Sequence, residues 1–572
     1  MFKRVPTDKT QAHDEQAEKI PIEEFQAKKT RAEKPQTEKF GVKKIRAAKS
    51  KAVKFRVAKA SSAIAATAVL AASVSFAAIS YASVSFLTGI PAAYAEPPAM
   101  PGSGGSGPGG SDSSNVTHSG ATEISSDTTN NAVSYSSTSA SQNSLLVTGG
   151  TSTLTDPEVT KTGDSDGDDA DFYGTNAAVL ATAGTLNIKG GSVVTNGVHA
   201  NGIFANSSGI INVENTKIKT SSNNSGAVMV TGGGTLTANN VTAETDGNSS
   251  APIRSDRGGG TLTANGGSYK SNGIGSPVIY STADITANNA DLTSTSSEGA
   301  VVEGMNSITL NNSTLTDTNT TLNGNSETYK NIFLYQSMSG DADEGNASFT
   351  AKDSTITTNK GDTIFVTNTT ATVNLSGNTI INNDASGAFL RIQSGKWGTS
   401  GSNGGDVTLK ADGQGMSGET IADSVSTLSM ELSNKSSYSG TINGQNTAKS
   451  VKLVMDKESI LTLTGDTYLT SLDNAADGNS NINLNGHVLY VGGAAITSTD
   501  YKDQSAEIAP EIAPESTPSA TAAQSETQEP DNKTINIILA VLGVLTIISI
   551  ICGGALNVYK RRKKESGEGE DS

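Results

Sequence analysis

A four-residue phrase recurs along the middle of the chain and limits what that chain can fold into. It reads Thr-Leu-Asn-Ile at Thr185–Ile188, Ile-Ile-Asn-Val at Ile210–Val213, and Thr-Leu-Thr-Ala at both Thr235–Ala238 and Thr261–Ala264. Related versions begin at Asp284, Ser307, Ser348, Thr372 and Asp406. The second residue of each copy acts as an anchor: Leu186, Ile211, Leu236, Leu262, Ile285, Ile308, Phe349, Val373 and Val407. The anchors lie 25, 25, 26, 23, 23, 41, 24 and 34 residues apart. A period in the low twenties marks one structural unit stacked on copies of itself.

Each phrase alternates. The anchor and the residue two later are apolar, whereas the residue between them is Asn or Thr in every copy, from Asn187 to Thr408. Period-two alternation describes a strand buried on one face. Corners follow at Asn239-Asn240, Asn265-Gly266, Asn288-Asn289 and Asn311-Asn312, residue types that tolerate a left-handed backbone. Seven residues after the anchor a second apolar column runs through Val193, Ile218, Ala243, Tyr269, Leu292, Leu315, Ile356 and Ile380, and fails at the Val407 copy, where Gln414 stands. A third column precedes the phrase, read as Ile203, Val228, Ile253, Val278 and Val301. The expected fold is therefore all-β, a parallel β-helix with three strands and about 24 residues per coil. At about 4.8 Å per coil, roughly 12 coils would make a rod on the order of 60 Å long. A two-sheet sandwich would have short strands without a fixed period, and a disordered Ser/Thr/Asn segment would not hold three apolar columns in register.

The repeat occupies only part of the 572 residues. Residues 1–60 hold 17 Lys/Arg against 8 Asp/Glu, and residues 61–95 are small and apolar, ending in Ala93-Tyr94-Ala95. A basic arm, an apolar run and an A-x-A site describe a secretory signal with cleavage after Ala95; an uncleaved membrane helix is the competing reading, since the arm and the run are both long for a signal. Residues 96–114 form a Gly/Pro/Ser linker, 115–500 the β-helix region, and 501–534 a Pro/Glu/Ser/Thr stalk with Glu-Ile-Ala-Pro twice. The 24 uncharged residues Ile535–Val558 are long enough to span a bilayer. Lys560-Arg-Arg-Lys-Lys564 then places the tail 559–572 in the cytoplasm and the β-helix outside. Of 41 Lys/Arg and 57 Asp/Glu, 17 and 8 lie in the arm and 5 and 4 in the tail, which leaves residues 96–534 near −26. So acidic a region is a poor partner for nucleic acid. The single cysteine, Cys552, sits in the apolar run, so stacking rather than disulfides must hold the fold.

The sequence assigns no catalytic residue, no cofactor and no resident metal. His118, His199 and His487 are far apart, and nothing local points to a Ser/His/Asp triad. Asn382-Asn-Asp384, Asp168-Asp169 and Arg391-Ile-Gln393 only partly match the clusters of polygalacturonase-like enzymes, and Gly-His-Gly is missing. The acidic stretch Asp164–Asp171 has the hard oxygen ligands that Ca²⁺ takes, but a solvated loop accounts for it more simply. The outward Thr pairs resemble the flat faces of ice-binding solenoids, although Asp284 and Asp406 interrupt them; a polar, strand-favouring face is the simpler account. The stronger candidate surface lies beside the third column. Phe204, Met229, Arg254, Ile279 and Val302 are each next in an alternating strand and are expected to face out, either as a ligand face or beneath a covering segment. Trp397, in a Gly/Ser/Asn loop, is a candidate for stacking on a sugar or for packing on the flank.

Residues from about 140 to 495, with Asp171-Phe-Tyr-Gly174, Asn176-Ala-Ala-Val-Leu180, Ile253-Arg-Ser-Asp-Arg-Gly-Gly-Gly260 and Trp397-Gly-Thr-Ser-Gly-Ser-Asn-Gly-Gly405, resemble the adhesin-like, pectin-lyase-type right-handed β-helix proteins of bacterial surfaces. The resemblance implies a surface-exposed, adhesive protein; together with the apolar run at 535–558, the expectation is a single-pass surface protein of a Gram-positive cell that binds a glycan or protein of a host or neighbouring cell. It supplies no catalytic residues. The alternatives are a polysaccharide-active lyase or hydrolase and a structural envelope component.

Overall fold

A computed structural model describes residues 116–165, 167–322 and 328–502. The basic arm 1–60, the apolar segment 61–95, the linker 96–114, all but two residues of the stalk and the run Ile535–Val558 with its tail lie outside the described residues. Among the described residues no helix is long and apolar enough to cross a membrane.

The repeated phrase pairs with itself, coil on coil. Leu186 aligns with Ile211, then Leu236, Leu262, Ile285, Ile308, Phe349 and Val373, all in parallel register and all fully buried. These strands form the middle of three parallel sheets, with 14 strands among the described residues. The strands preceding the phrase make a first sheet of 15, and those following it a third sheet of 10. The result is a right-handed three-sheet solenoid of about 15 coils, on the order of 70 Å long. The inward residues of all three sheets merge into one continuous core.

Side chains also stack at the corners. Asn240, Gly266, Asn289 and Asn312 take positive φ, as the tight turn requires. Beside them the Asn265 amide donates to Asn239 Oδ1 at 2.9 Å, Asn288 to Asn265 and Asn311 to Asn288 at 2.8 Å. At another corner the Ser225 backbone N–H donates to Ser250 Oγ at 2.9 Å and the Ser250 N–H to Ser276 Oγ at 2.8 Å. These ladders pin the register of each coil on the next. The interrupting Asp284 and Asp406 also serve the stack, accepting from Ser307 Oγ at 2.7 Å and Thr427 Oγ1 at 2.6 Å in the following coil.

Three details of the sequence reading need correction. First, Val407 pairs with Ala371; the anchor line passes from Val373 to Leu409. The strands Thr369–Ser376 and Gly405–Asp412 begin early, so the phrase slips by two residues. Met416, seven residues after Leu409, is buried in the core, and Gln414 bonds Asn378 at a corner instead. Second, three strands per coil hold only as far as Thr379–Asn382, the last strand of the third sheet. Beyond it one longer strand, Gly415–Ala422, replaces two, and the coil shortens to 21 residues between Val407 and Leu428. Third, the column preceding the phrase is Ile203, Val228, Ile253, Ile279, Ala300, Ile332. Val278 and Val301 are not on it. The far end closes with an antiparallel pair, Leu489–Val491 against Ala494–Ile496, which breaks the parallel ladder, and Tyr468 stacks on Tyr490 at 4.5 Å.

Candidate functional site

The outward column of the first sheet changes character along its length. It runs Leu146, Leu180, Phe204, Met229, Arg254, Tyr280, Val301, Phe333 and Phe365. Its apolar start is covered. The acidic stretch read as a loop folds into a short helix, Asp168–Phe172, and the chain beyond it lies on Leu146, Leu180, Phe204 and Met229, which with Ala177 form a satellite core. Thr231 Oγ1 holds this cover by donating to the Phe172 carbonyl at 2.7 Å. Phe204 and Met229 therefore face away from the solenoid axis without facing solvent. Ile279 is a fully buried core residue, and Val302 aligns with Ser281 in the inward direction. The one-residue error arose where the coil lengthens to 26 residues, and a one-residue slip exchanges the two faces of a strand.

Past the cover the column is open, and a cleft with a cavity volume of about 510 Å³ lies over it. Arg254, Tyr280 and Val301 make the floor; the short helix forms one wall; Ser337, Ser339 and Asp341 form the other, with Trp397 at the margin. Arg257 links the two walls: its guanidinium sits 4.0 Å over the Phe172 ring, and its Nε meets Asp341 Oδ1 at 2.6 Å.

Two polar groupings meet on the floor. In the first, Arg254 Nη2 donates to Asp256 Oδ2 at 2.9 Å and lies 3.8 Å from Asp171 Oδ1 through Nη1. Asp171 Oδ2 in turn meets His199 Nδ1 at 2.9 Å, and Asn224 Nδ2 lies 3.1 Å from His199 Nε2. Burial pushes the Asp256 carboxyl up to about 7 against the pull of Arg254. In the second grouping Glu303, 1% exposed, accepts hydroxyl hydrogen bonds from Tyr280, Tyr335 and Ser337, the Tyr335 bond measuring 2.8 Å. Burial raises its carboxyl above the ordinary carboxylate range and raises both tyrosines well above theirs. The Tyr335 ring stacks on Phe333 at 4.5 Å and lies 5.8 Å from Trp397, which is half-buried. The site thus combines fixed donors and acceptors with an aromatic wall, the lining expected where a small polar ligand is oriented.

Of the six residues singled out from the sequence, the cleft holds Arg254 and Trp397, and Val302 lies in the core. Phe204 and Met229 are roofed over, and Ile279 is in the core. Asp256, Tyr280, Glu303 and Tyr335 were missed, and Asp171 and His199 were considered but not assigned to this site. A signal for Tyr280 existed: Ser225, Ser250, Ser276 and Ser297 each stand three residues before Val228, Ile253, Ile279 and Ala300, and aligning those serines restores the column. The remaining candidates have local uses. Asp384 accepts from Ser386 and the Gly361 N–H, and these bonds hold its carboxyl down to about 2. Arg391 makes a bidentate pair with Asp362 at 2.6 and 3.1 Å, and Asp164 accepts from the Val198 N–H at 2.8 Å. Among the described residues no group of three or more His, Cys, Asp or Glu is placed to hold a metal ion. The chain matches no family model, no curated protein and no solved structure, so the reading of the cleft rests on its own geometry.

Proposed function

We propose that this chain is an adhesin-like surface protein whose pectin-lyase-type β-helix binds a saccharide in the cleft over the first sheet. The observation that carries the reading is the half-buried Trp397 beside Tyr335 and Phe333, set across from a floor of prealigned Arg, Asp and Tyr groups. Sugar rings offer apolar C–H faces to aromatic rings and hydroxyls to fixed polar groups, so both kinds of contact are used at once. The cavity holds a ligand of a few sugar units. The solenoid is rigid, which lets coils far apart in sequence hold these groups without ordering costs on binding. The A-x-A site before Glu96, the stalk and the apolar run at 535–558 support display on a cell surface by a single membrane span.

The test is a glycan array probed with the full chain in detergent, beside Trp397→Ala. Saturable binding that Trp397→Ala weakens at least about fivefold supports the reading, an aromatic contact being worth about 1 kcal/mol or more. Shortened polysaccharide products would replace it with turnover. Binding to no saccharide would leave a structural envelope role.

A further inference from the structure

The wall that carries Ser337 and Ser339 has a second cleft behind it. Its cavity volume is about 420 Å³, and its lining includes Gln336, Met338, Asn368, Gly398, Thr399 and Ser402. Ser337 and Ser339 line the first cleft, whereas Gln336 and Met338 line the second. Successive residues of one segment therefore serve opposite cavities. The neighbouring loop does the same, with Trp397 on the first and Gly398 and Thr399 on the second. Only this segment and this loop separate the two spaces.

The partition is held firmly. Asn368 Nδ2 donates to the Gln336 carbonyl at 2.8 Å, and the Asn368 backbone N–H donates to the Asn403 carbonyl at 3.0 Å. Asn403 is buried, and its Nδ2 donates to the Gly395 and Trp397 carbonyls, both at 2.7 Å. Trp397 is thus anchored through its backbone, so a ligand that meets it need not order the loop. The far side of the partition has groups that suit a sugar. Thr370, Thr399 and Ser402 are exposed residues with hydroxyls, which both donate and accept. Met338, 49% exposed, adds an apolar surface of the kind a sugar C–H face can cover.

We infer that the binding site continues past Trp397 into this second cleft, so that its ligand is an oligosaccharide lying across the partition with units in both cavities. The inference rests on the saccharide-binding reading of the first cleft. Dimers and hexamers of β-1,4-linked glucose and of β-1,4-linked N-acetylglucosamine are titrated by calorimetry into the full chain in a sugar-free detergent. In at least one series the hexamer should bind at least about thirtyfold more tightly than the dimer, the gain expected of two added hydrogen bonds. Thr399→Arg fills the second cleft and should cut that gain to about fivefold or less, the part owed to the several registers a hexamer offers, with dimer binding unchanged. Met338→Ala should reduce the gain in the same direction, whereas Trp397→Ala should weaken dimer and hexamer alike. A hexamer within about fivefold of its dimer in the wild-type chain, or an undiminished gain in Thr399→Arg, would overturn the second subsite and leave the saccharide site of the first cleft standing. Absence of binding by every probe would remove both. Should Thr399→Arg disturb Trp397, dimer binding would fall with it, and Met338→Ala, on the other segment of the partition, then decides: an undiminished gain there overturns the second subsite.

Discussion

Replacing Leu262 by Ala tests the stacking on which the fold depends. Leu262 is fully buried, with Leu236 directly beneath it and Ile285 directly above. Truncation removes three carbons from the core, about 2.5 kcal/mol at roughly 0.8 kcal/mol per buried carbon. The hole then adds a cavity term, and it cannot close readily because both neighbours are fixed by parallel ladders and by the Asn239–Asn265–Asn288 amide chain. The expected loss is therefore about 3–5 kcal/mol. Thr263→Ala is the matched control. Thr263 is the next residue of the same strand, half-buried on the outer face, and its loss should cost less than about 1 kcal/mol. Urea unfolding followed by circular dichroism measures both variants. A Leu262→Ala loss below about 1 kcal/mol, or a Thr263→Ala loss as large as that of Leu262→Ala, would refute the assignment of inner and outer faces.

Three further outcomes are expected. Asp317 is buried and its carboxyl is pushed up to about 7 by that burial. The folded chain thus keeps a proton that the unfolded chain releases near pH 4, so this position's contribution is fullest below pH 4 and is lost as pH rises to 7. Asp317→Asn should flatten that decline in melting temperature and stabilise the chain at pH 8, by up to about 4 kcal/mol for a three-unit shift. Asn288→Ala cuts the amide chain on both sides and should cost about 1–2 kcal/mol in urea unfolding, with the change in hydrogen exchange concentrated in adjacent coils. Gly273→Ala places a Cβ against the Gly247 carbonyl oxygen of the coil below and should lower stability by about 1–3 kcal/mol, whereas Gly415→Ala meets only Ser437 Oγ, at an ordinary 3.6 Å.

Much of the architecture was legible from residue order, and the reason is the repeat. Leu186 and its counterparts recur at nearly constant spacing, so stacking follows from period and alternation without knowledge of distant contacts. The three inward columns, the Asn corners and the outward Thr/Asn line are all local properties of one coil. Prediction erred where the spacing drifted: Val278 was read where Ile279 stands, and Val407 where Leu409 stands. The one-residue slip exchanged the inner face for the outer, whereas the two-residue slip left Val407 on the inner face.

The cleft is a different kind of feature. Alternation says that Phe204 and Arg254 both point away from the core, but not that one is roofed and the other open. That depends on the segment around Asp168–Phe172, the turn around Asp341 and the loop carrying Trp397, which have no period and fold back over other coils. Asp171 meets His199 and Arg254, and Arg257 meets Asp341, only because coils remote in sequence lie a few ångströms apart in the stack. Short-range periodicity therefore determined the solenoid. Which outward residues became a site was decided by irregular insertions whose partners are set by packing in three dimensions.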